Sequence, residues 1–141
     1  MIKIGRGILI LKEDGKDKLV TIKRIKKING EIKEYYTFPG GHVEEDETCS
    51  EATIREIEEE LGIKVEIKSL LCKINNNDLN RYEEFFECEY LEGIVGSGTG
   101  EEWQTYKEEY GSYEIVKIDI KDLSKYNLLP IDVKEIIIKK Y

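Results

Sequence analysis

The segment GGHVEEDETCSEATIREIEEELGI, residues 40–63, holds eight glutamates and one aspartate between a glycine pair and a Gly-Ile exit. Like charges at helical spacing repel one another and destabilise a helix. The glycines beside them let the backbone reach conformations that are closed to other residues. The segment therefore raises the question of what offsets the repulsion among so many carboxylates.

The pattern predicts a helix over residues 48–61. Thr48 fits the N-cap position and Glu51 follows three residues later, as in a capping box. Gly62 fits the position that ends a helix. At about 100° per residue, the helix has an apolar side and a roughly opposite acidic side. Glu58 falls near the border between the two sides and is expected to be solvated. The apolar side comprises Ile54, Ile57 and Leu61, and the acidic side comprises Glu56, Glu59 and Glu60.

The residues alone leave two interpretations of the acidic side open. A Glu-rich helix is most often a solvated face with charge pairs, and glutamate is common throughout this chain. Alternatively, carboxylates at this spacing, together with the backbone carbonyls of Gly40 and Gly41, supply the oxygen ligands that Mg²⁺ prefers. A bound cation would neutralise the repulsion within the cluster.

The spacing resembles the Nudix box, G-x5-E-x7-R-E-U-x-E-E-x-G-U, in which U is a bulky aliphatic residue. Every specified position is matched, by Gly41, Glu47, Arg55-Glu56-Ile57, Glu59-Glu60 and Gly62-Ile63. The preceding FPGGHVE, residues 38–44, is similar to the usual lead-in of that family. The resemblance implies an α+β Nudix fold, with mixed β-sheets sandwiched with a central catalytic helix and a C-terminal helix. It also implies a single Nudix hydrolase domain over residues 1–141.

The order of the remaining elements agrees with that fold. Alternation and β-branched or aromatic content predict strands over residues 2–11, 18–25, 35–38, 64–74, 83–92 and 113–119. The dipeptide Asn29-Gly30 is a tight-turn signal. Pro130 is expected to open the last helix.

The resemblance further implies Mg²⁺-dependent hydrolysis of a pyrophosphate bond, with Mn²⁺ as a substitute metal. The substrate would be a nucleoside diphosphate linked to another group, such as a nucleoside triphosphate or a nucleotide sugar. Carried over by position, Glu59, Glu60 and the Gly40 carbonyl would be metal ligands, and Glu47 would approach a metal through water. The alternative is a catalytically silent Nudix-fold sensor module that binds a nucleotide. Because every acid of the box is present, the enzyme is favoured.

The same resemblance assigns chemistry to other side chains. Glu56 would act as general base, and Arg55 would fix the rotamers of the carboxylates. Many family members add an acid from a distant loop. In this chain Glu101 or Glu102 could supply it, and Glu102 is preferred. Trp103, next to that acid, is the best candidate to stack on a base.

Further substrate contacts are expected outside the box. Arg6 and Arg24 are candidates for a phosphate or ribose contact, because arginine binds phosphate with two parallel hydrogen bonds. Arg24 is equally compatible with an ordinary surface charge at a strand end. Tyr36 is a candidate for stacking on a base.

Composition limits the partners. The formal charge of −8 repels nucleic acid and anionic lipid, so we expect a small nucleotide substrate, no nucleic acid polymer and no membrane. No apolar run approaches the roughly 20 residues that a membrane span requires. The three cysteines are odd in number and widely spaced, which predicts a reducing, cytoplasmic location without disulfides. A homodimer is left open.

Overall fold

The computed structural model describes residues 1–98 and 112–141. These residues fall into two compact units. Unit 1 comprises residues 1–9 and 39–98, and unit 2 comprises residues 10–38 and 112–141. The single domain expected over the whole chain stays a prediction.

The elements follow the predicted order. Most strands are longer than predicted, because the hairpin strands continue through charged residues up to their tight turns. In chain order they are β1 (Ile2–Glu13), β2 (Lys16–Ile28), β3 (Glu31–Thr37), β4 (Gly40–His42), α1 (Cys49–Leu61), β5 (Ile63–Asn76), β6 (Arg81–Gly93), β7 (Ser112–Asp119), a 3₁₀ helix (Ile120–Lys125) and α2 (Ile131–Lys140).

Unit 1 is built on a mixed sheet. Strand β1 runs parallel to β6, from the pair of Ile2 with Arg81 to the pair of Leu9 with Cys88. On its other side β1 pairs antiparallel with β4, and β5 pairs antiparallel with β6. The parallel pairing brings the first strand of the chain beside a strand from the second half of the sequence.

Helix α1 begins and ends as predicted. The Glu51 N–H donates to Thr48 Oγ1 at 3.1 Å, and the Thr48 N–H donates to Glu51 Oε1 at 2.9 Å, which completes the capping box. Gly62 adopts a left-handed φ of 77°, and its N–H donates to the Glu58 carbonyl at 2.9 Å. Both ends of the helix are thus closed by hydrogen bonds.

Helix α1 packs directly on β1 because that strand carries no side chain at the contact. A Cβ at Gly7 would lie 2.5 Å from Ile57 Cδ1, and a Cβ at Gly5 would overlap the Cys49 carbonyl and the Thr53 hydroxyl. Small residues therefore let the helix backbone approach the sheet closely.

The predicted division of α1 into an apolar side and an opposite acidic side was partly wrong. Ile57 and Leu61 are fully buried, but Ile54 is only half-buried. Glu60, expected on the acidic side, is only 7% exposed. Positions 57 and 60 lie about 60° apart around a helix, so Glu60 borders the packed side.

Unit 2 is an antiparallel sheet in which β2 lies between β3 and β7. Residues 10–13 of β1 also pair with β2. Asn29 and Gly30 have φ values of 52° and 81°, as a two-residue hairpin turn requires. Helix α2 begins one residue after Pro130, close to the predicted position. The buried apolar side chains are Leu19, Val20, Ile22, Phe38, Ile118, Leu123, Leu128, Val133 and Ile137.

Among the described residues, no helix combines the length and apolar character that crossing a membrane demands. All three cysteines lie within the described residues, and none of them forms a disulfide.

Candidate active site

Arg55 lies at the centre of the acidic cluster of unit 1. Its Nε donates to Glu47 Oε2 at 2.7 Å and its Nη2 donates to Glu47 Oε1 at 3.0 Å. Its Nη1 donates to Glu56 Oε1 at 2.9 Å and lies 3.4 Å from Glu59 Oε2. The two parallel bonds to Glu47 form the fork geometry that makes arginine–carboxylate pairs strong and directional.

The same arginine also joins the helix to the preceding loop. Its Nη2 donates to the His42 carbonyl at 3.0 Å. Glu47 in turn accepts a 3.0 Å bond from the Glu44 N–H. Hydrogen bonds from Arg55, and then from Glu44, hold the pKa of the Glu47 carboxyl below its usual range. Glu47 therefore stays ionised and anchors the arginine.

The glycine pair is enclosed by two carboxylates of α1. The Gly40 N–H lies 3.4 Å from Glu60 Oε1, in a buried position. A Cβ at position 41 would lie 2.5 Å from Glu56 Cδ. Only glycine at position 41 leaves room for the Glu56 carboxylate, so the loop backbone and the helix acids occupy one small volume.

This donor set fits a hard divalent cation. Within residues 1–98 and 112–141, no group of three or more acidic, histidine or cysteine side chains forms a ready-made metal cage. Mg²⁺ does not need one, because it usually takes one or two carboxylates and keeps several waters. The predicted ligands Glu59, Glu60 and the Gly40 carbonyl would offer only oxygen atoms, as that ion prefers.

The two neighbouring acids of the Glu59-Glu60 pair differ in environment. The Glu59 side chain is 52% exposed and touches the solvent-facing edge of Arg55. Glu60 is buried against the glycine loop. The cluster thus contains one exposed and one buried carboxylate. Their roles as metal ligands stay predictions, and so do the metal-binding roles of Gly40 and Glu47 and the catalytic roles of Arg55 and Glu56.

Arg6 lies in β1 and is the register partner of Gly40 in β4. Its Nε lies 3.4 Å from Glu83 Oε1, and Arg81 Nη2 donates to the same oxygen at 3.3 Å. Sequence reasoning missed Arg81 and Glu83, because only the parallel pairing of β1 with β6 brings them beside Arg6. No local motif could have indicated that contact.

The candidates in unit 2 have aromatic neighbours. The Arg24 guanidinium lies 3.6 Å from the centre of the Tyr113 ring, a cation–π contact that the sequence did not indicate. Tyr36 meets Tyr126 edge-to-face at 5.2 Å, and burial raises the pKa of its hydroxyl. Both substrate-binding roles stay predictions. The remaining candidates, Glu101, Glu102 and Trp103, lie outside the described residues.

Comparison with known proteins decides the family. The family model described as the NUDIX domain matches residues 1–126. The chain belongs to the Nudix family. The predicted membership is confirmed, and the box at residues 41–63 is therefore a true family motif.

An ADP-ribose pyrophosphatase of Methanocaldococcus jannaschii is 33% identical to the chain over 87 residues, covering 62% of this chain and 48% of that protein. The match thus spans about half the length of that curated relative. A MutT structure, from a study of Aliivibrio salmonicida and Vibrio cholerae, has a TM-score of 0.67 at 23% identity. That alignment covers 99% of this chain and 98% of the other.

A structure of a UDP-X diphosphatase has a TM-score of 0.65 at 20% identity, covering 96% of this chain and 60% of that one. These likenesses show the fold. A mixed sheet with a helix packed on it, followed by a C-terminal helix, is the Nudix architecture, and the fold prediction is confirmed.

Proposed function

We propose that this protein is a Mg²⁺-dependent pyrophosphohydrolase that cleaves a nucleoside diphosphate linked to another group. The observation that carries the proposal is the placement of Glu60, a carboxylate buried in an acidic helix and held 3.4 Å from the Gly40 N–H. A purely solvated acidic face would leave that side chain in water. Nudix hydrolases generally use divalent metal ions, and binding such an ion would explain why a carboxylate is buried at this position.

Glu59, Glu60 and the Gly40 carbonyl are the groups that would hold the metal, and Glu47 would approach it through water. When bound, Mg²⁺ supplies charge neutralisation of the phosphoryl oxygens and lowers the pKa of attached water. Glu59, exposed at the edge of the cluster, can turn from Arg55 toward an incoming ligand. Glu60 is already fixed against the loop and needs no such movement.

The proton of the attacking water is accepted by a residue of the chain itself. Glu56 accepts a hydrogen bond from Arg55 and lies against Gly41, so its carboxylate is directed by two neighbours. A carboxylate held in this way can accept the proton of the attacking water. Arg55 is itself held by Glu47, and this chain of contacts keeps the base oriented.

The identity of the second group belongs to the proposal in general terms only. The relatives are named for ADP-ribose, for MutT and for UDP-X, which supports a nucleotide substrate without selecting one. A small nucleotide as the partner and a cytoplasmic location remain predictions, and a homodimer remains open.

The test is hydrolysis of a substrate panel with Mg²⁺. The panel contains nucleoside triphosphates, ADP-ribose, nucleotide sugars and dinucleoside polyphosphates, and the products are separated by anion exchange. Glu59→Gln and Glu60→Gln are the inactive variants. Glu58→Gln is the matched control, because it removes a charge from the same turn at an exposed position. We expect cleavage by wild type and the control only.

The sensor alternative makes a different set of outcomes. It requires nucleotide binding without cleavage across the panel, and equal binding by wild type and Glu56→Gln. Retention of every acid of the box in a non-catalytic protein would leave their mutual repulsion without a purpose. Equal turnover by Glu60→Gln and Glu58→Gln would remove the proposed metal site.

A further inference from the structure

The C-terminal end of α1 is closed by a distant piece of chain, residues 94–98 (IVGSG), here called the strap. The Gly96 N–H donates to the Leu61 carbonyl at 2.9 Å. Ser97 Oγ lies 3.2 Å from the Gly62 carbonyl and 2.7 Å from the Ile94 carbonyl, and its single hydrogen serves either acceptor. The strap thus supplies donors to carbonyls that a helix end leaves without partners.

Gly98 fits directly over the last turn of the helix. A Cβ at this position would lie 2.5 Å from the Glu59 carbonyl and would overlap the Glu60 carbonyl. A real side chain would force those two peptide groups or the strap to move. Position 98 therefore sets the location of the backbone that carries both candidate metal ligands.

The charges in the last turn of α1 are unfavourable for the helix. Within the described helix α1, the last turn holds no basic residue. Glu58, Glu59 and Glu60 lie instead at the end where the helix dipole is negative, which is unfavourable for carboxylates. Such a turn would fray in isolation. The strap donors offset that tendency without introducing a charge.

We infer that Ser97 and Gly98 are positioning residues for the metal site. The strap holds the last helical turn in register, so that Glu59 and Glu60 meet the glycine loop at a fixed distance. This inference rests on the proposed function, because it concerns the affinity for the metal that function requires. Neither residue is a catalytic residue, because both act through the helix backbone.

The experiment measures Mn²⁺ binding to the nucleotide-free protein by electron paramagnetic resonance, together with the Tm of the metal-free protein. We expect Gly98→Ala to weaken Mn²⁺ binding about tenfold, and Ser97→Ala to weaken it about threefold, as supporting contacts of metal ligands do. Ser97→Thr keeps the hydroxyl and should restore binding. At saturating metal, the KM for the nucleotide should stay unchanged.

Thr48→Ala is the matched control. It removes a hydrogen bond from the opposite end of the same helix and lowers the Tm without touching the strap. If Thr48→Ala weakens Mn²⁺ binding as much as Gly98→Ala at equal loss of Tm, the strap has only a structural role and the inference is overturned. Should Gly98→Ala fail to fold, Ser97→Ala and Ser97→Thr decide by the same readout.

Failure of the inference is distinguishable from failure of the proposed function. Wild-type protein that binds no Mn²⁺ overturns both. Wild-type protein that binds Mn²⁺ and hydrolyses a nucleotide, with binding unchanged in both strap variants, overturns the inference alone.

Discussion

The two ends of helix α1 are closed in different ways. At the first end, Thr48 and Glu51 exchange hydrogen bonds with each other's backbone over three residues of sequence. At the second end, the local bond from the Gly62 N–H to the Glu58 carbonyl is joined by donors from the strap, residues 94–98. The candidate metal ligands Glu59 and Glu60 lie at the end that the strap contacts. Substitutions in a remote segment can therefore change such a site while the sequence of the helix stays the same.

The largest effect should follow a change in the glycine loop that faces the functional end. Gly41→Ala places a Cβ 2.5 Å from Glu56 Cδ and displaces that carboxylate. Because misplacement by about 1 Å can cost about a hundredfold in rate, we expect kcat to fall by that factor. Gly15→Ala is the control, since its Cβ meets nothing within 4 Å and the strain of alanine at its φ of 74° should lower stability rather than kcat. A Gly41→Ala enzyme with a third of the wild-type kcat would contradict the site geometry.

Arg55 lies between the two ends, and its removal should weaken the whole segment. Arg55→Ala leaves Glu47 and Glu56 without their charged donor, and we expect a loss of about 2 kcal/mol in the free energy of unfolding. Arg55→Lys should recover only part of this, because lysine cannot form the fork. Urea unfolding measures both. Full recovery by lysine would show that charge alone matters there.

The packing of the middle of α1 on the sheet can be probed through Cys88. A Cβ at Gly7, where the helix contacts β1, would lie 3.2 Å from Cys88 Sγ. Burial raises the pKa of this thiol to about 12. Since an unfolded cysteine titrates near 8.5, the unfolded chain loses its proton first as the pH rises. Stability due to this thiol is therefore fully present below about pH 8.5 and declines above it, by about 1.4 kcal/mol per pH unit.

Cys88→Ala removes that group and serves as the comparison. Its unfolding free energy should decline less steeply than that of wild type between about pH 8.5 and 10.5. Parallel curves for the two proteins would mean that the thiol is accessible to water in the folded state.

The smallest effect is expected at the locally closed end. Thr48→Ala removes the N-cap acceptor and should lower the free energy of unfolding by about 1 kcal/mol. Because the Thr48 hydroxyl contacts the Glu51 N–H and Ser50 Oγ rather than the carboxylates around Arg55, kcat should remain as in wild type. Chemical unfolding and steady-state kinetics on one preparation provide both values. A proportional fall in kcat would erase the distinction between the two ends.

Features that depend on neighbouring residues were predictable from the sequence. The capping box, Gly62 at the helix end and the Asn29-Gly30 turn each follow from local backbone chemistry, and all three are confirmed. The Nudix box was equally readable, because its spacing is a property of one segment. These features specified the family and most of the fold.

Features that depend on remote pairing were not predictable. The strap over α1, the shared carboxylate Glu83 and the stacking of Arg24 on Tyr113 join residues far apart in sequence. Burial of Glu60 was missed for a related reason. Helical periodicity places Glu60 only about 60° from Ile57, but its burial depends on the Gly40 loop, 20 residues earlier, folding back onto the helix.

The parallel pairing of β1 with β6 has a consequence for how the protein folds. Residues 40–62 can form their loop and helix from local contacts, but the strand on which the helix packs is β1. That strand settles only when Ile2 to Leu9 align with Arg81 to Cys88. Closing so long a stretch of chain is slow compared with helix formation, because its entropy must be lost before the contacts form. We therefore expect the acids of α1 to come together early in folding, and the packing of α1 on β1 to be completed late.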